Sequence, residues 1–115
     1  MFKKISKVIL KDLIDAADAI LVFTKEMDYA QFLNDRKTRD AVYRNIAVMG
    51  EAANRLSKDF ILSHPEIEWQ KIISTRNAIT HGYDEIDDQI IWNIIQNILP
   101  GLNSALKILL SKEQP

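Results

Sequence analysis

Cysteine is absent from this chain of 115 residues, which has two histidines, three glycines and three prolines. The lack of cysteine excludes disulfides, a thiolate nucleophile and cysteine-ligated metals. With two histidines besides, a zinc site is disfavoured, and we predict neither a metal nor a cofactor. So few glycines and prolines disfavour the many turns that a many-stranded sheet requires.

Long apolar runs are also missing. Lys11, Asp12 and Asp15 interrupt the apolar stretch near the N-terminus, so an amphipathic first helix is expected rather than a signal peptide or a membrane span. We therefore expect a cytoplasmic protein that does not enter a membrane. The composition, 47% hydrophobic and 27% charged, is that of an ordinary globular chain and predicts one domain over residues 1–115.

Positive charge is not in excess. The chain has 15 basic and 16 acidic residues, a formal net charge of -1. A protein that binds nucleic acid mainly by releasing counterions is visibly basic. Any contact with RNA is therefore expected to be local, brief or shared across an oligomer.

Apolar residues recur at intervals of three and four along most of the chain, which predicts an all-α fold. We expect an antiparallel four-helix bundle with a short additional helix capped by Asp28. The long helices are predicted from Ile5 to about Phe23, from about Asp35 to Ser57, from Glu66 or Glu68 to His81, and from the Asp84–Asp88 region onward. In that last region the candidate N-capping residues are Asp84, Asp87 and Asp88. Their predicted core rows are Ile5, Val8, Ile9, Leu13, Ala16, Ala17 and Ile20; Val42, Ile46, Met49, Ala53 and Leu56; Trp69, Ile72, Ile73 and Ile79; and Ile91, Ile94, Ile98, Leu102, Ala105 and Leu109.

Glycine and proline add local expectations. Gly50 falls inside the second long helix, where glycine costs roughly 1 kcal/mol relative to alanine, so it is expected to permit the close approach of a neighbouring helix. Gly82 stands where a C-terminal cap of the third helix would be. Pro100 and Gly101 are expected to kink the last helix without ending it. His64, before Pro65, is expected to be a loop or helix-capping residue.

Polar residues suited to phosphate chemistry gather at the end of the third predicted helix. Arg76 falls close to the apolar face, where it needs a partner or a water-filled cleft. Asn77 and His81 are four residues apart, so a continuous helix would place them on one face. Tyr83 follows Gly82 and is expected to turn back over the same cleft.

These residues suit metal-free cleavage of RNA. His81 has an unperturbed pKa near neutrality and could serve as general acid or base. Arg76 could clamp phosphoryl oxygens in a bidentate manner, and Asn77 could orient the histidine or the phosphate. One histidine per chain is thin for both the acid and the base role. A symmetric dimer would supply a second histidine.

The spacing Arg76, four residues, His81, one residue, Tyr83 resembles the Arg-x4-His-x-Tyr signature of HepT-like toxins of the HEPN superfamily. Further stretches resemble the same family and occur in the same order, so the resemblance covers nearly the whole chain. These stretches are Asp35–Thr38 with Asp40–Val42, Arg44-Asn45, Gly50–Ala53, His64–Ile67 followed by Trp69, and Leu99-Pro100.

The resemblance implies a homodimeric helical ribonuclease toxin with Arg76 and His81 as catalytic residues and Asn77 in support. It also implies an antitoxin encoded alongside, a minimal nucleotidyltransferase, which silences the toxin by transferring AMP from ATP to Tyr83.

Other readings stay open. Arg76 could be a structural arginine bonded to a neighbouring carboxylate such as Glu51, His81 an ordinary helix-capping residue, and Tyr83 a packing residue. The whole chain could be a non-catalytic module that binds a nucleotide, a phosphate or a nucleotidyltransferase partner. A purely structural helical dimer with a vestigial motif is the third alternative.

Overall fold

The computed structural model describes residues 2–79 and 86–112, with side chains from residue 5 onward. Over these ranges the chain forms helices and turns and no strand, which confirms the predicted all-α class. The elements are α1 (Phe2–Phe23), α2 (Tyr29–Leu33), α3 (Arg36–Asn54), α4 (Lys58–Ser63), α5 (Trp69–Asn77), α6 (Asp88–Asn93), a π turn (Ile94–Ile98) and α7 (Leu99–Lys112).

The core lies around α1 and α3. Helix α1 packs against α3 and α7, α5 packs against α3, and the short α2 also contacts α3. Burial of large apolar side chains between these helices supplies most of the stabilisation, since each contributes about 1.5–3 kcal/mol. The largest fully buried ones include Leu10, Leu13, Ile20, Phe32, Val42, Ile46, Ile72, Ile91, Ile95, Leu106 and Leu109.

The row predicted for α3 is confirmed, because Val42, Ile46, Met49, Ala53 and Leu56 are all buried. The helical spacing of three and four residues keeps these side chains on the face that meets α1.

The row predicted for α1 is wrong at its start. Ile5 and Val8 are 51% and 54% exposed, whereas Leu10 and Ile14, outside the predicted row, are buried. Successive residues of an α-helix are about 100° apart. The buried face of α1, centred near Leu13, therefore leaves Val8 pointing away from it.

Polar side chains begin three of the helices, at Asp28 and Asp87 as expected. Asp28 forms a capping box with Gln31 at α2, Asp35 accepts from the backbone N–H of Thr38 at α3, and Asp87 accepts from Gln89 N–H at α6. These bonds satisfy backbone donors that have no partner inside a helix.

The predicted end of the second long helix is wrong. Helix α3 ends at Asn54. Ser57 instead caps the separate helix α4, where its hydroxyl accepts from the backbone N–H of Phe60 at 3.1 Å. Two short helices, α2 and α4, thus stand where one was expected.

Helix α5 is shorter than predicted. It ends at Asn77 rather than His81. Beyond that end, Ile79 N–H donates to Arg76 at 3.0 Å, a spacing of three residues that tightens the last turn. The cap predicted at Gly82 lies outside the described residues.

The last helix continues past Pro100 and Gly101, as expected, and a π turn precedes them. Proline has no N–H and its ring crowds the carbonyl four residues earlier. In the wider turn, Leu99 N–H reaches back five residues to Ile94. The buried face then follows Ile91, Ile95, Leu99 and Asn103. This spacing of four was not predicted, because a straight α-helix would rotate such residues apart.

Among the described helices, none is both long and apolar enough to cross a membrane.

Candidate functional site

Arg76 lies in the last turn of α5, where it is partly buried, and Asn77 follows it as the exposed end of the helix. The beginning of α5 is fixed by Trp69, which is buried and whose indole Nε1 donates to the carbonyl of His64 at 3.0 Å. Ile72 is buried one turn later. The Trp69 bond attaches the beginning of α5 to the residue that follows α4, and α5 packs against α3.

The stem of Arg76 crosses α3 at Gly50. A Cβ atom at position 50 would overlap the Cδ atom of Arg76 and would lie 2.7 Å from its Cβ and Cγ atoms. Carbon atoms in contact normally stay about 3.5–4.0 Å apart. Gly50 therefore permits the close approach that the sequence predicted, and the side chain that approaches is Arg76.

The charge of Arg76 is not neutralised by Glu51. Glu51 is exposed. The ion pairs among residues 5–79 and 86–112 all join other residues. The structural alternative for Arg76 is therefore wrong for this carboxylate. A partly buried guanidinium in this setting is able to accept an anion.

A second polar cluster lies on α3, two helical turns before Gly50, a distance of about 10 Å along the axis. The hydroxyl of Tyr43 donates to Oδ1 of Asp88, the first residue of α6. Arg39 Nε lies 4.0 Å from Oδ2 of the same carboxylate. Burial, and then the hydrogen bond to Asp88, raise the pKa of Tyr43.

This cluster was missed by the sequence reasoning. Arg39 and Tyr43 are four residues apart, a spacing that does place two side chains on one face of a helix. Asp88 was assigned only to helix capping, and nothing in the spacing pairs it with Tyr43. The cluster attaches the beginning of α6 to α3, the helix that the Arg76 stem crosses.

His81 and Tyr83 lie outside the described residues, as does Gly82. Of the predicted site, the structure thus brings Arg76 and Asn77 to the end of α5, against α3. The expectation that Asn77 and His81 share a helical face depended on a helix through His81, and α5 ends at Asn77.

His64 is a helix-capping residue, as predicted. It follows the last residue of α4; its Nδ1 lies 3.2 Å from Oε2 of Glu66, and its ring centre is 4.6 Å from that of Phe60. In the described part of the chain, no three His, Asp or Glu side chains are grouped so as to hold a metal ion.

Comparison with known proteins identifies the family. The model of the ribonuclease HepT-like family matches residues 13–109, which include all of α3 and α5 and the Arg76–Tyr83 stretch. The chain belongs to the ribonuclease HepT-like family. The predicted resemblance to HepT-like proteins is confirmed.

Similar HepT-like relatives match along nearly their whole length. One, from Methanocaldococcus jannaschii and named as a proposed RNase, is 32% identical over 108 residues, 94% of this chain and 99% of the relative. Another, from Thermococcus cleftensis and named as a probable ribonuclease HepT, is 33% identical over 105 residues, 91% of this chain and 96% of the relative. No solved structure matches the chain significantly.

Proposed function

We propose that the protein is a HepT-like endoribonuclease toxin in which Arg76 and His81 carry out metal-independent cleavage of RNA. The observation that supports this most is the family match, which runs through α3, α5 and the Arg76–Tyr83 stretch. The names of the relatives, which refer to RNases, point to the same substrate. Arg76 is partly buried, and its guanidinium, without a carboxylate partner among the described residues, is suited to an anionic substrate.

The reaction is an attack of the ribose 2′-oxygen on the adjacent phosphorus. A base removes the 2′-hydroxyl proton, the new P–O bond forms, and the bond from phosphorus to the 5′-oxygen breaks. The leaving oxygen takes up a proton, and the products are a 2′,3′-cyclic phosphate and a 5′-hydroxyl. His81 is assigned a proton transfer, and Arg76 binds the phosphoryl oxygens as negative charge develops on them.

Asn77 is assigned a supporting role beside Arg76. It ends α5 in an exposed position, from which its amide is able to orient the phosphate or the histidine. A single chain supplies one His81, whereas the reaction needs a base and an acid. The working enzyme is therefore proposed to be a homodimer in which two Arg76–Tyr83 stretches form one cleft.

The cleavage proposal predicts which substitutions remove activity. Purified protein incubated with RNA in EDTA should yield 2′,3′-cyclic phosphate ends. Arg76→Ala should slow cleavage by about 100- to 1000-fold, as loss of a group that stabilises transition-state charge does. His81→Ala should slow it by a similar factor through loss of proton transfer.

Matched controls are available in the same chain. Arg36→Ala removes the same charge from an exposed side chain at the far end of α3, and His64→Ala removes the other histidine. Both should retain cleavage. Full activity of the His81→Ala variant would refute the mechanism. Tight binding of AMP or ATP by a protein that cleaves no RNA would favour the non-catalytic module.

We also propose that a nucleotidyltransferase antitoxin inactivates the protein at Tyr83. The phenolic oxygen attacks the α-phosphorus of ATP, the bond to the β-phosphate oxygen breaks, pyrophosphate leaves, and the phenolic proton is lost to solvent. The bulky, charged AMP group would then lie two residues from His81, where it would obstruct the approach of RNA.

Mass spectrometry tests this modification. The chain co-expressed with the nucleotidyltransferase encoded beside it should gain mass in AMP increments on the peptide containing Tyr83, and its RNA cleavage should fall. Tyr83→Phe should gain no mass and stay active. Tyr29→Phe is the matched control and should be modified like the wild type. AMP on another residue, or none, would contradict the assignment.

A further inference from the structure

Gly50 occupies a position where glycine is unfavourable for the helix itself. It is buried in the interior of α3, and its φ lies outside the left-handed region that favours glycine. Alanine in such a backbone would stabilise the helix by roughly 1 kcal/mol. The reason for glycine is therefore the space above it, and that space is filled by Arg76.

The contact involves the stem of Arg76 from its base outward. Rotation about χ1 would move the Cγ and Cδ atoms of Arg76 away from a new Cβ atom at position 50. It would leave the Arg76 Cβ atom at 2.7 Å, because that atom is fixed to the backbone of α5. An alanine at position 50 therefore requires α5 and α3 to separate by about 1 Å, given ordinary carbon contacts of about 3.5–4.0 Å.

We propose that Gly50 is a positioning residue for catalysis. The Arg76 stem passes over α3 at this glycine, and the contact fixes where the guanidinium meets the scissile phosphate. This inference rests on the proposed function. It adds to it a residue outside the Arg76–Tyr83 stretch that acts only through Arg76.

The contact at Gly50 matters because bidentate binding of a phosphate depends on the orientation of the guanidinium. The guanidinium presents its N–H groups in a rigid planar fork that matches two phosphoryl oxygens. A displacement of about 1 Å at a catalytic group can lower a rate by about 100-fold. The stem on Gly50 restrains that displacement, since three of its carbon atoms lie in the space that a Cβ atom at position 50 would take.

The test compares two helical glycines. Gly50→Ala should lower kcat for RNA cleavage by about 10- to 100-fold while KM changes less than about twofold, because the lost alignment acts mainly in the transition state. Gly101→Ala is the matched control. Gly101 is exposed in α7 with no atom within 4 Å of an added Cβ, so both constants should stay unchanged. Equal kcat values for Gly50→Ala and wild type would overturn the proposal.

A double variant separates positioning from folding. In the Arg76→Ala background, Gly50→Ala should reduce the residual rate by less than about threefold, because the guanidinium whose alignment it disturbs is already gone. A similar loss in both backgrounds would mean that Gly50 acts through the fold rather than through Arg76, and would overturn the proposal. If Gly50→Ala alone folds poorly, Arg76→Gly, which also removes the Cβ atom at 2.7 Å, should restore part of its melting temperature. No recovery would equally overturn it.

A spectroscopic measurement keeps this inference distinct from the proposed function. The ¹⁵Nε–Hε resonance of Arg76, assigned by its loss in Arg76→Lys, should shift in Gly50→Ala and stay in place in Gly101→Ala. Absence of RNA cleavage by the wild type would refute the proposed function. An Arg76 resonance that does not shift in Gly50→Ala would instead refute the positioning role of Gly50.

Discussion

Tyr43 joins two helices through one hydroxyl group. Its O–H donates to Asp88 at the start of α6, and Arg39 adds a positive charge on the other oxygen of that carboxylate. The three side chains are partly buried. Their arrangement stabilises the contact because a hydrogen bond to a charged acceptor is stronger than one between neutral groups.

Tyr43→Phe is therefore expected to lower the free energy of unfolding at neutral pH by about 1.5 kcal/mol, measured by urea denaturation. Tyr29→Phe is the control. Its ring lies 6.2 Å from that of Trp92, a contact that phenylalanine keeps, so the loss should stay below about 0.5 kcal/mol.

The same bond has a pH dependence of known sign. Because the folded state raises the pKa of Tyr43, its stabilising effect is fully present below the unfolded tyrosine pKa of about 10 and is lost as pH rises through the folded value. The difference between wild type and Tyr43→Phe should thus shrink above about pH 10. A difference that stays constant from pH 7 to pH 11 would contradict this account.

At the scale of the helices, sequence predicted which segments are helical better than where they end. The row of apolar residues predicted for the second long helix is buried in full, because side chains at intervals of four and three define one face of a helix; its last member, Leu56, lies just beyond the end of α3. The caps Asp28 and Asp87 were visible as well, since their effect is local.

Contacts distant in sequence were beyond such reasoning. Gly50 was expected to receive a neighbouring helix, yet nothing in the pattern selects Arg76 as the side chain placed on it. Asp88 is 45 residues from Tyr43, and only the folded chain brings the beginning of α6 to that side chain. The end of α5 at Asn77 was missed for a related reason: apolar spacing continues to Ile79, while the backbone has already tightened into a turn.

For the molecule as a whole, the proposed site requires two chains. Each subunit has a mass of 13.2 kDa and supplies one Arg76 and one His81. A cleft built from both copies exists only in the dimer, so its concentration follows the association equilibrium.

Dilution is the corresponding measurement. Light scattering at micromolar concentration should give a mass of twice 13.2 kDa. The rate of RNA cleavage per chain should then fall as the protein is diluted below the dimer dissociation constant. A monomeric ribonuclease diluted in parallel controls for surface loss. A constant rate per chain under conditions where light scattering finds only monomer would refute a two-chain site.

Because of the π turn at Ile94–Ile98, the last helix should tolerate the deletion of a residue at some positions and not at others. Its hydrogen bond spans five residues, so the turn holds one residue more than an ordinary helical turn. A homologue lacking one residue there would have a regular α-helix and still bury the counterparts of Ile91 and Leu106. The same deletion after Leu99 would rotate Leu106 and Leu109 by about 100° out of the core. In this last helix, gaps in alignments with relatives should therefore collect just before Pro100.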